Sequence, residues 1–234
     1  MYDKVLGVLG GMGPLASAHF MLRLTLLTQA DRDQDHIPAV LWSDPRIPDR
    51  TRAHQPGGED PLPALLRGIE GLKRAGCAAI AIPCNTAHGW YEPMREAACM
   101  PILHIVDAAA ADLRRMNIGP GTIGLMGTAA TLAMRLYQER LAGQGWDCIT
   151  PDAEQMQRYV TPAIALVKAN RVAEAFEPLA FVANDLAARG ATAVVLGCTE
   201  IPLGIQAGPI EALHAPVVDT IDALARAAIN WANG

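Results

Sequence analysis

An internal duplication constrains this 234-residue chain more than any other feature. The segment Leu6–Gly10 recurs in similar form at Ile123–Gly127, and the segment Gly76–Cys84 recurs at Gly190–Cys198. Each repeat lies roughly 115 positions after its counterpart, about half the chain length, and the repeats follow in the same order. General similarity between βα units would not place a cysteine at the same position in both halves. The chain is therefore predicted to contain two copies of one fold.

Short β-branched runs alternate with alanine- and leucine-rich stretches, which is the pattern of a parallel α/β protein. The continuously apolar runs, such as Ala79–Ile82 and Ala193–Leu196, predict strands that helices cover on both faces. A long segment without periodicity, from Asp44 to Pro63, predicts a functional loop. The predicted strands are Val5–Leu9, Ala39–Ser43, Ala78–Ile82, Ile102–His104, Thr122–Met126, Cys148–Thr150, Ala193–Leu196 and Val217–Val218.

The composition restricts the partners of the chain. A formal net charge of -5, without any run of Lys or Arg, argues against nucleic acid or an anionic membrane and favours a small molecule. The first apolar segment is too short for a signal peptide, and no stretch reaches the ~18 apolar residues of a membrane span, so a cytoplasmic location is expected. Five cysteines without CxxC spacing indicate reduced thiols and no metal site.

Cys84 and Cys198 are the equivalent cysteines of the two repeats, and each follows a predicted strand. Ligands of parallel sheets bind at the carboxyl ends of strands, where the amides of the next turn favour a thiolate. A symmetric pair of thiols suits racemisation, because one thiolate removes the α-proton while the other thiol protonates the opposite face. Asn85, Thr86 and Thr199, beside the cysteines, supply hydrogen-bond donors for the developing carbanion.

Three motifs resemble signatures of the aspartate/glutamate racemase superfamily, and specifically of its aspartate racemase branch. They are the opening segment Leu9–Ala16 and the two cysteine segments Pro83–His88 and Gly197–Glu200, and the resemblance runs over essentially the whole chain. It implies that Cys84 and Cys198 are the catalytic pair, that no cofactor is used and that the protein is a homodimer. It also implies two Rossmann-like domains.

The same resemblance implies a set of substrate-binding residues. Asn85, Thr86 and Thr199 are expected to hold the α-amino and α-carboxylate groups. Thr128, in the segment of the second half that corresponds to the glycine loop, is expected to contribute to the same binding. Met12 in the opening motif and Glu200 in the second cysteine motif are included in the predicted substrate-binding set. Glu200 is also interpreted as a residue that orients a thiol or caps the following turn.

The predicted substrate rests on two cations. Arg50 lies in a segment that resembles the aspartate racemase loop whose arginine reaches the side-chain carboxylate, and Lys168 falls where the family places a second cation. An arginine fork suits a carboxylate, so a dicarboxylic amino acid, aspartate, is predicted. Glutamate racemases typically open with Asp-Ser-Gly and carry histidine after the second Cys-Thr, where this chain has Glu200. Glutamate or another amino acid stays open as the alternative.

Combining duplication and resemblance, we predict an α/β fold of two pseudo-twofold-related Rossmann-like domains with parallel sheets and an active site in the cleft between them. The first domain is predicted to comprise residues 1–104 and 217–234, and the second residues 105–216. The positions at which the chain passes from one domain to the other follow from the duplicated segments that begin at Pro101 and Pro216.

Other interpretations remain open at this point. Gly11–Ala16 also fits the GxGxxA dinucleotide fingerprint, with Asp44 in place of the ribose-binding acid, which would indicate an NAD(P)-dependent oxidoreductase. A binding protein that senses an amino acid is a third class, and Arg50 and Lys168 would be solvated surface charges if neither bound substrate. His88 either tunes the Cys84 thiolate or forms structural hydrogen bonds. The cysteines without a counterpart in the other repeat are expected only to pack: Cys77, Cys99 and Cys148.

Overall fold

The computed structural model describes residues 2–234, which form two four-stranded parallel sheets and eleven α-helices. Across these residues, every helix falls short of the length and apolar character that a bilayer crossing demands. The strands are β1 Leu6–Gly10, β2 Ala39–Ser43, β3 Ala79–Ala81, β4 Ile102–Leu103, β5 Gly121–Gly127, β6 Trp146–Ile149, β7 Val194–Gly197 and β8 Val217–Asp219. The helices are α1 Pro14–Leu27, α2 Leu62–Arg74, α3 Tyr91–Ala98, α4 Ile105–Arg115, α5 Ala129–Ala133, α6 Leu136–Ala142, α7 Ala153–Gln155, α8 Thr161–Lys168, α9 Phe176–Ala188, α10 Glu200–Gln206 and α11 Thr220–Asn233.

The chain divides into two compact units. The first runs to Ala108 and includes Ile221–Gly234, and the second spans Ala109–Thr220. The boundaries predicted from the sequence are residues 104 and 216. The second boundary lies later in the structure because β8 pairs with β7 and so stays with the second sheet, although residues 217–219 were assigned to the first domain.

The two sheets have the same internal topology, with strand orders β2-β1-β3-β4 and β6-β5-β7-β8. In the first sheet Gly7 pairs with Ile80, and in the second Gly124 pairs with Val194. These are equivalent positions of the sequence repeat. The edge strands repeat the correspondence, because β4 pairs with β3 and β8 with β7 at matching positions. The register of the strands therefore confirms the predicted duplication, and the predicted α/β class with parallel sheets is correct.

Each sheet lies in a core of its own. All five residues of β1 and all four residues of β7 are buried, as the continuously apolar runs predicted. The first core gathers the side chains of α2 and α3 around Ile80 and Ile82, and Cys84 belongs to it. The second gathers those of α8, α9 and α10 around Val194 and Leu196, together with Cys198. Both cysteines are thus held by the packing of their own unit.

The glycine motif after β1 is shaped by close backbone packing. The absent side chain of Gly10 leaves space for Ser17, because a Cβ there would lie 2.6 Å from the Ser17 Oγ. That hydroxyl accepts a hydrogen bond from the Gly11 N–H at 2.9 Å and donates one to the Gly13 carbonyl at 2.7 Å. Gly11 itself has φ +90, and a Cβ there would lie 2.4 Å from the backbone of Asp44. The turn therefore fixes where β1 meets the long loop that begins at Asp44.

We expect Gly11→Ala to destabilise the protein more than Gly57→Ala. Both residues have positive φ, 90 and 76, so both variants lose about 1 kcal/mol from backbone strain. Only at Gly11 does the new Cβ meet backbone atoms, whereas at Gly57 nothing lies within 4 Å. We expect a total loss of about 3 kcal/mol for Gly11→Ala, measured from urea denaturation midpoints. Equal losses in the two variants would contradict the tight contact with Asp44.

Candidate active site

Both cysteines of the repeat lie just beyond the carboxyl end of a central strand, as predicted. Cys198 directly follows β7, and Cys84 follows β3 after two further buried residues. The exposed fractions of the two residues are only 5% for Cys84 and 4% for Cys198. The polar residues that follow them, Asn85, Thr86 and Thr199, are buried as well. Each unit therefore places one thiol among buried polar groups at the edge of its sheet where ligands of parallel sheets bind.

His88 connects the Cys84 turn to the start of α4. Its Nδ1 lies 2.9 Å from the Cys84 carbonyl oxygen, and its Nε2 accepts a hydrogen bond from the Ile105 N–H at 3.2 Å. A ring nitrogen that accepts carries no proton, so the proton lies on Nδ1 and is donated to the carbonyl. Because both nitrogens are bonded to the backbone, the structure favours the structural interpretation of His88 over the catalytic one.

Arg50 is held inside the long loop of the first unit by backbone oxygens. Its guanidinium group donates to the carbonyls of Ile47 at 3.2 Å, Pro48 at 3.1 Å and Met12 at 3.1 Å. The residue is only 8% exposed, so the alternative that Arg50 is a solvated surface charge is wrong. These bonds orient the guanidinium group next to the glycine motif.

The charge of Arg50 is not neutralised by the described part of the chain. No carboxylate of residues 2–234 lies within ion-pair distance of it, and its Nε is buried without a hydrogen-bond partner. Arg23 shows the contrast, because it binds Asp222 in a fork through Nε at 2.5 Å and Nη2 at 2.8 Å. Arg50 thus retains its Nε–H donor. This group lies on the edge of the guanidinium that forms paired hydrogen bonds with a carboxylate.

Met12 contributes to this region in a different way from the one predicted. Its side chain packs in the first core with Ile47 and Cys84, and the residue is 2% exposed. Its carbonyl oxygen is the part that reaches Arg50. The structure therefore gives the Met12 side chain a packing role and makes its backbone a support for the cation.

In the second unit, Cys198 and Glu200 form a buried thiol–carboxylate pair. The Cys198 Sγ donates to the Glu200 Oε2 at 3.0 Å, and the Thr199 Oγ1 donates to the same oxygen at 3.4 Å. Burial raises the pKa of the Cys198 thiol well above its ordinary value, and the negative charge of Glu200 raises it further. Glu200, one of the predicted substrate-binding residues, therefore uses its carboxylate to bind the thiol.

Lys168 and Thr128 also belong to the second unit. Lys168 ends α8, and its positive charge acts on the pKa of Cys198 in the lowering direction, against burial and Glu200. Thr128 caps the N-terminus of α5, because its Oγ1 accepts a hydrogen bond from the Thr131 N–H at 3.1 Å. The Thr128 hydroxyl also lies 2.9 Å from that of Thr131. The structure thus places Lys168 in the electrostatic surroundings of Cys198 and gives Thr128 a capping role.

Sequence reasoning missed two residues of these surroundings. Ser17 closes the glycine turn. The sequence feature that could have identified it is a pair of small residues, Gly10 at the end of β1 and Ser17 in the helix that follows. Tyr137 on α6 is completely buried, and burial, followed by the charges of Cys148 and Cys198, raises the pKa of its phenol well above the ordinary value. No sequence pattern distinguishes Tyr137 from an ordinary core aromatic.

The other cysteines differ in exposure. Cys77 is buried, and a Cβ added at Gly7 would lie 3.2 Å from its Sγ. Cys77 therefore packs against β1, as expected. Cys148 is partly buried, and burial raises the pKa of its thiol to about 11. The expectation of packing is wrong for Cys99, which is exposed. Among residues 2–234, no three His, Cys, Asp or Glu side chains are grouped as metal ligands would be.

Comparison with known proteins defines the class of this site. The family described as Asp/Glu/Hydantoin racemase matches residues 9–228. The aspartate racemase of Picrophilus torridus has a similar structure, with a TM-score of 0.84, 33% sequence identity and coverage of 99% of this chain and 95% of that one. The broad specificity amino-acid racemase RacX of Bacillus subtilis is 26% identical over 97% of both chains. A glutamate racemase of Deinococcus radiodurans is 30% identical over 77% of this chain and 62% of its own.

The chain therefore belongs to the Asp/Glu/hydantoin racemase family. This confirms the predicted family and the predicted racemase class of enzyme. The dinucleotide interpretation is not supported, since the family match includes the glycine motif.

We expect His88→Gln to lower stability as well as racemase activity. The substitution disrupts two buried backbone hydrogen bonds, at Cys84 and Ile105, which costs about 1–3 kcal/mol. The exposed His214 provides the matched control His214→Gln, for which we expect no change. Urea denaturation measures the loss, and faster hydrogen exchange at the Ile105 amide locates it. Lost activity with unchanged stability and exchange would instead identify His88 as an acid–base catalyst.

Proposed function

We propose that this chain interconverts L- and D-aspartate without a cofactor, by proton transfer between the substrate α-carbon and the thiols of Cys84 and Cys198. The observation that carries the proposal is the repeat itself. A buried cysteine follows the equivalent central strand in each of two units with the same topology, and buried polar residues follow each cysteine. Two equivalent acid–base groups suit a reaction between mirror-image molecules, because one can act on each face of the α-carbon. A cytoplasmic homodimer, expected from the sequence, is proposed with it.

In the proposed reaction one cysteine acts as a thiolate and removes the α-proton from one face. The C–H electron pair stays on the substrate as a carbanion, and the other thiol delivers a proton to the opposite face. In the reverse direction the two cysteines exchange roles. Acid–base catalysis contributes about 10²–10⁴-fold, so fixed hydrogen-bond donors must stabilise the carbanion as well. We assign that task, and the binding of the α-amino and α-carboxylate groups, to Asn85, Thr86 and Thr199.

The uncompensated charge of Arg50 supports a substrate with a second carboxylate. A buried guanidinium group without a counter-ion is costly, and an anionic ligand removes that cost. We assign the role of a second cation to Lys168, whose positive charge acts on Cys198. The similarity to an aspartate racemase over nearly the whole chain favours aspartate. The full-length similarity to a broad specificity amino-acid racemase supports a second candidate, the racemisation of several amino acids.

The proposal is tested with purified, reduced protein and L-aspartate in D₂O, followed by chiral chromatography and mass spectrometry. We expect D-aspartate that carries one α-deuterium, because the α-proton is replaced from solvent. Cys84→Ala and Cys198→Ala are each expected to lower racemisation at least about a thousandfold, since each removes one of the two acid–base groups. Cys77→Ala is the matched control and should retain activity. Full activity in either repeat-cysteine variant would refute the two-thiol scheme.

The role of Arg50 is tested by comparing two substrates. Arg50→Ala removes the charge-assisted fork to the side-chain carboxylate, so kcat/KM for aspartate should fall about a hundredfold. For alanine, which has no such carboxylate, we expect a change below about threefold. Arg52→Ala, on the same loop and exposed, is the matched control. Equal losses for both substrates would remove Arg50 from side-chain recognition and favour the broad-specificity candidate.

A further inference from the structure

The turn that carries Arg50 is held together by hydrogen bonds of its own. The Asp49 Oδ1 accepts a hydrogen bond from the Thr51 N–H at 2.8 Å, and the His54 N–H donates to the Thr51 carbonyl at 3.3 Å. These bonds join the two ends of the Arg50 turn, which comprises residues 49–54. A contact made by the His54 ring therefore also fixes the orientation of the turn that carries Arg50.

The side chain of Trp90 makes such a contact from the segment that follows Cys84. Its ring lies 5.0 Å from the His54 ring, centroid to centroid, with the two planes tilted by 41°. Its Nε1 donates a hydrogen bond to the Asp60 Oδ1 at 3.1 Å, and the same oxygen accepts one from the Leu62 N–H at 2.9 Å, at the start of α2. One indole group thus holds the long loop at the Arg50 turn and at the end that leads into α2.

The position of Trp90 is fixed by the first core. It is the last residue of the 3-10 helix Thr86–Trp90, which begins two residues after Cys84, and its side chain packs partly buried against that core. In contrast, residues 54–60 of the loop are all exposed, so apolar packing holds this part of the loop only weakly. The contacts with Trp90 therefore link a weakly packed loop to a firmly packed segment.

We propose that Trp90 is a positioning residue that holds the Arg50 turn at a fixed distance from the segment after Cys84. This inference rests on the proposed function, in which Arg50 binds the side-chain carboxylate and Asn85 and Thr86 bind the α-amino and α-carboxylate groups. A dicarboxylic substrate must reach both sets of groups at once, so a change in their spacing weakens its binding. Trp90 acts through Arg50 and takes no part in proton transfer.

A readout independent of activity tests whether Trp90 holds the loop. Trypsin cleaves after exposed, mobile Arg residues, and mass spectrometry of the folded protein's fragments follows cleavage after Arg52, which is exposed. Trp90→Ala removes a hydrogen bond and a ring contact, so we expect cleavage there to be about tenfold faster. His54→Ala removes only the ring contact, and about threefold is expected. Trp231→Ala, at a partly buried tryptophan of α11 in the same unit, is the matched control and should leave the rate unchanged.

Racemisation kinetics test the effect on the substrate. In Trp90→Ala we expect KM for aspartate to rise about tenfold while kcat changes by less than about threefold, because binding is weakened and the thiols are left in place. Trp90→Phe keeps a ring against His54 but lacks the N–H that binds Asp60, so its KM and cleavage rate should lie between those of Trp90→Ala and the unmodified protein. His54→Ala changes an exposed side chain and serves if Trp90→Ala fails to fold, which circular dichroism would reveal.

Three results would overturn the inference. They are an unchanged cleavage rate in both Trp90→Ala and His54→Ala, faster cleavage with an unchanged KM, and a fall in kcat as large as the rise in KM. The last would identify Trp90 as a residue that only supports the general fold. If the unmodified protein racemises no amino acid, the proposed function fails. The cleavage rates then still decide whether Trp90 holds the Arg50 turn, so the two failures are distinguishable.

Discussion

The pairing of two central strands in each unit is the constraint on which the rest of the structure depends. β1 pairs with β3, and β5 with β7, in parallel, and all four strands are buried apart from the first two residues of β5. Parallel strands end at the same edge of a sheet, so the register that aligns Gly7 with Ile80 also sets where Cys84 leaves the sheet beside the glycine motif. The same register in the second sheet brings Cys198 to the end of β5. A slip of one residue in this pairing would turn the side chains of each cysteine-bearing strand to the opposite face of its sheet.

Burial explains why the chemistry of these sites is costly and why it is retained. A thiolate, a carboxylate or a guanidinium group loses most of its hydration at a site that is less than a tenth exposed. The chain compensates with local partners: backbone carbonyls around Arg50, and the Cys198 and Thr199 side chains around Glu200. The compensation of Arg50 is incomplete, because carbonyl dipoles do not neutralise its charge. That residual imbalance is the physical basis for proposing an anionic substrate.

The sequence predicted the strands well and the side-chain contacts poorly, for different physical reasons. Strand position follows from short apolar runs, which is why β2 coincides with its predicted range and β7 is displaced by one residue. Contacts depend on side-chain direction after folding, and no pattern indicated that Arg50 turns back onto the Met12 carbonyl or that His88 spans from Cys84 to Ile105. The duplication located the two thiols, and the contact between Glu200 and Cys198 agrees with the interpretation of Glu200 as a residue that orients a thiol.

Under the proposed function, the chemical difference between the two cysteine turns cannot favour one direction of reaction. L- and D-enantiomers have equal free energies, so kcat/KM must be equal in both directions whatever groups surround the thiols. A carboxylate at position 200 and a hydroxyl at position 86 can alter only where the proton resides in the free enzyme and how kcat and KM are partitioned. Duplication therefore left one half free to diverge at this position without loss of overall balance. Glu200 is compatible with a symmetric reaction because its charge acts on the resting state of Cys198.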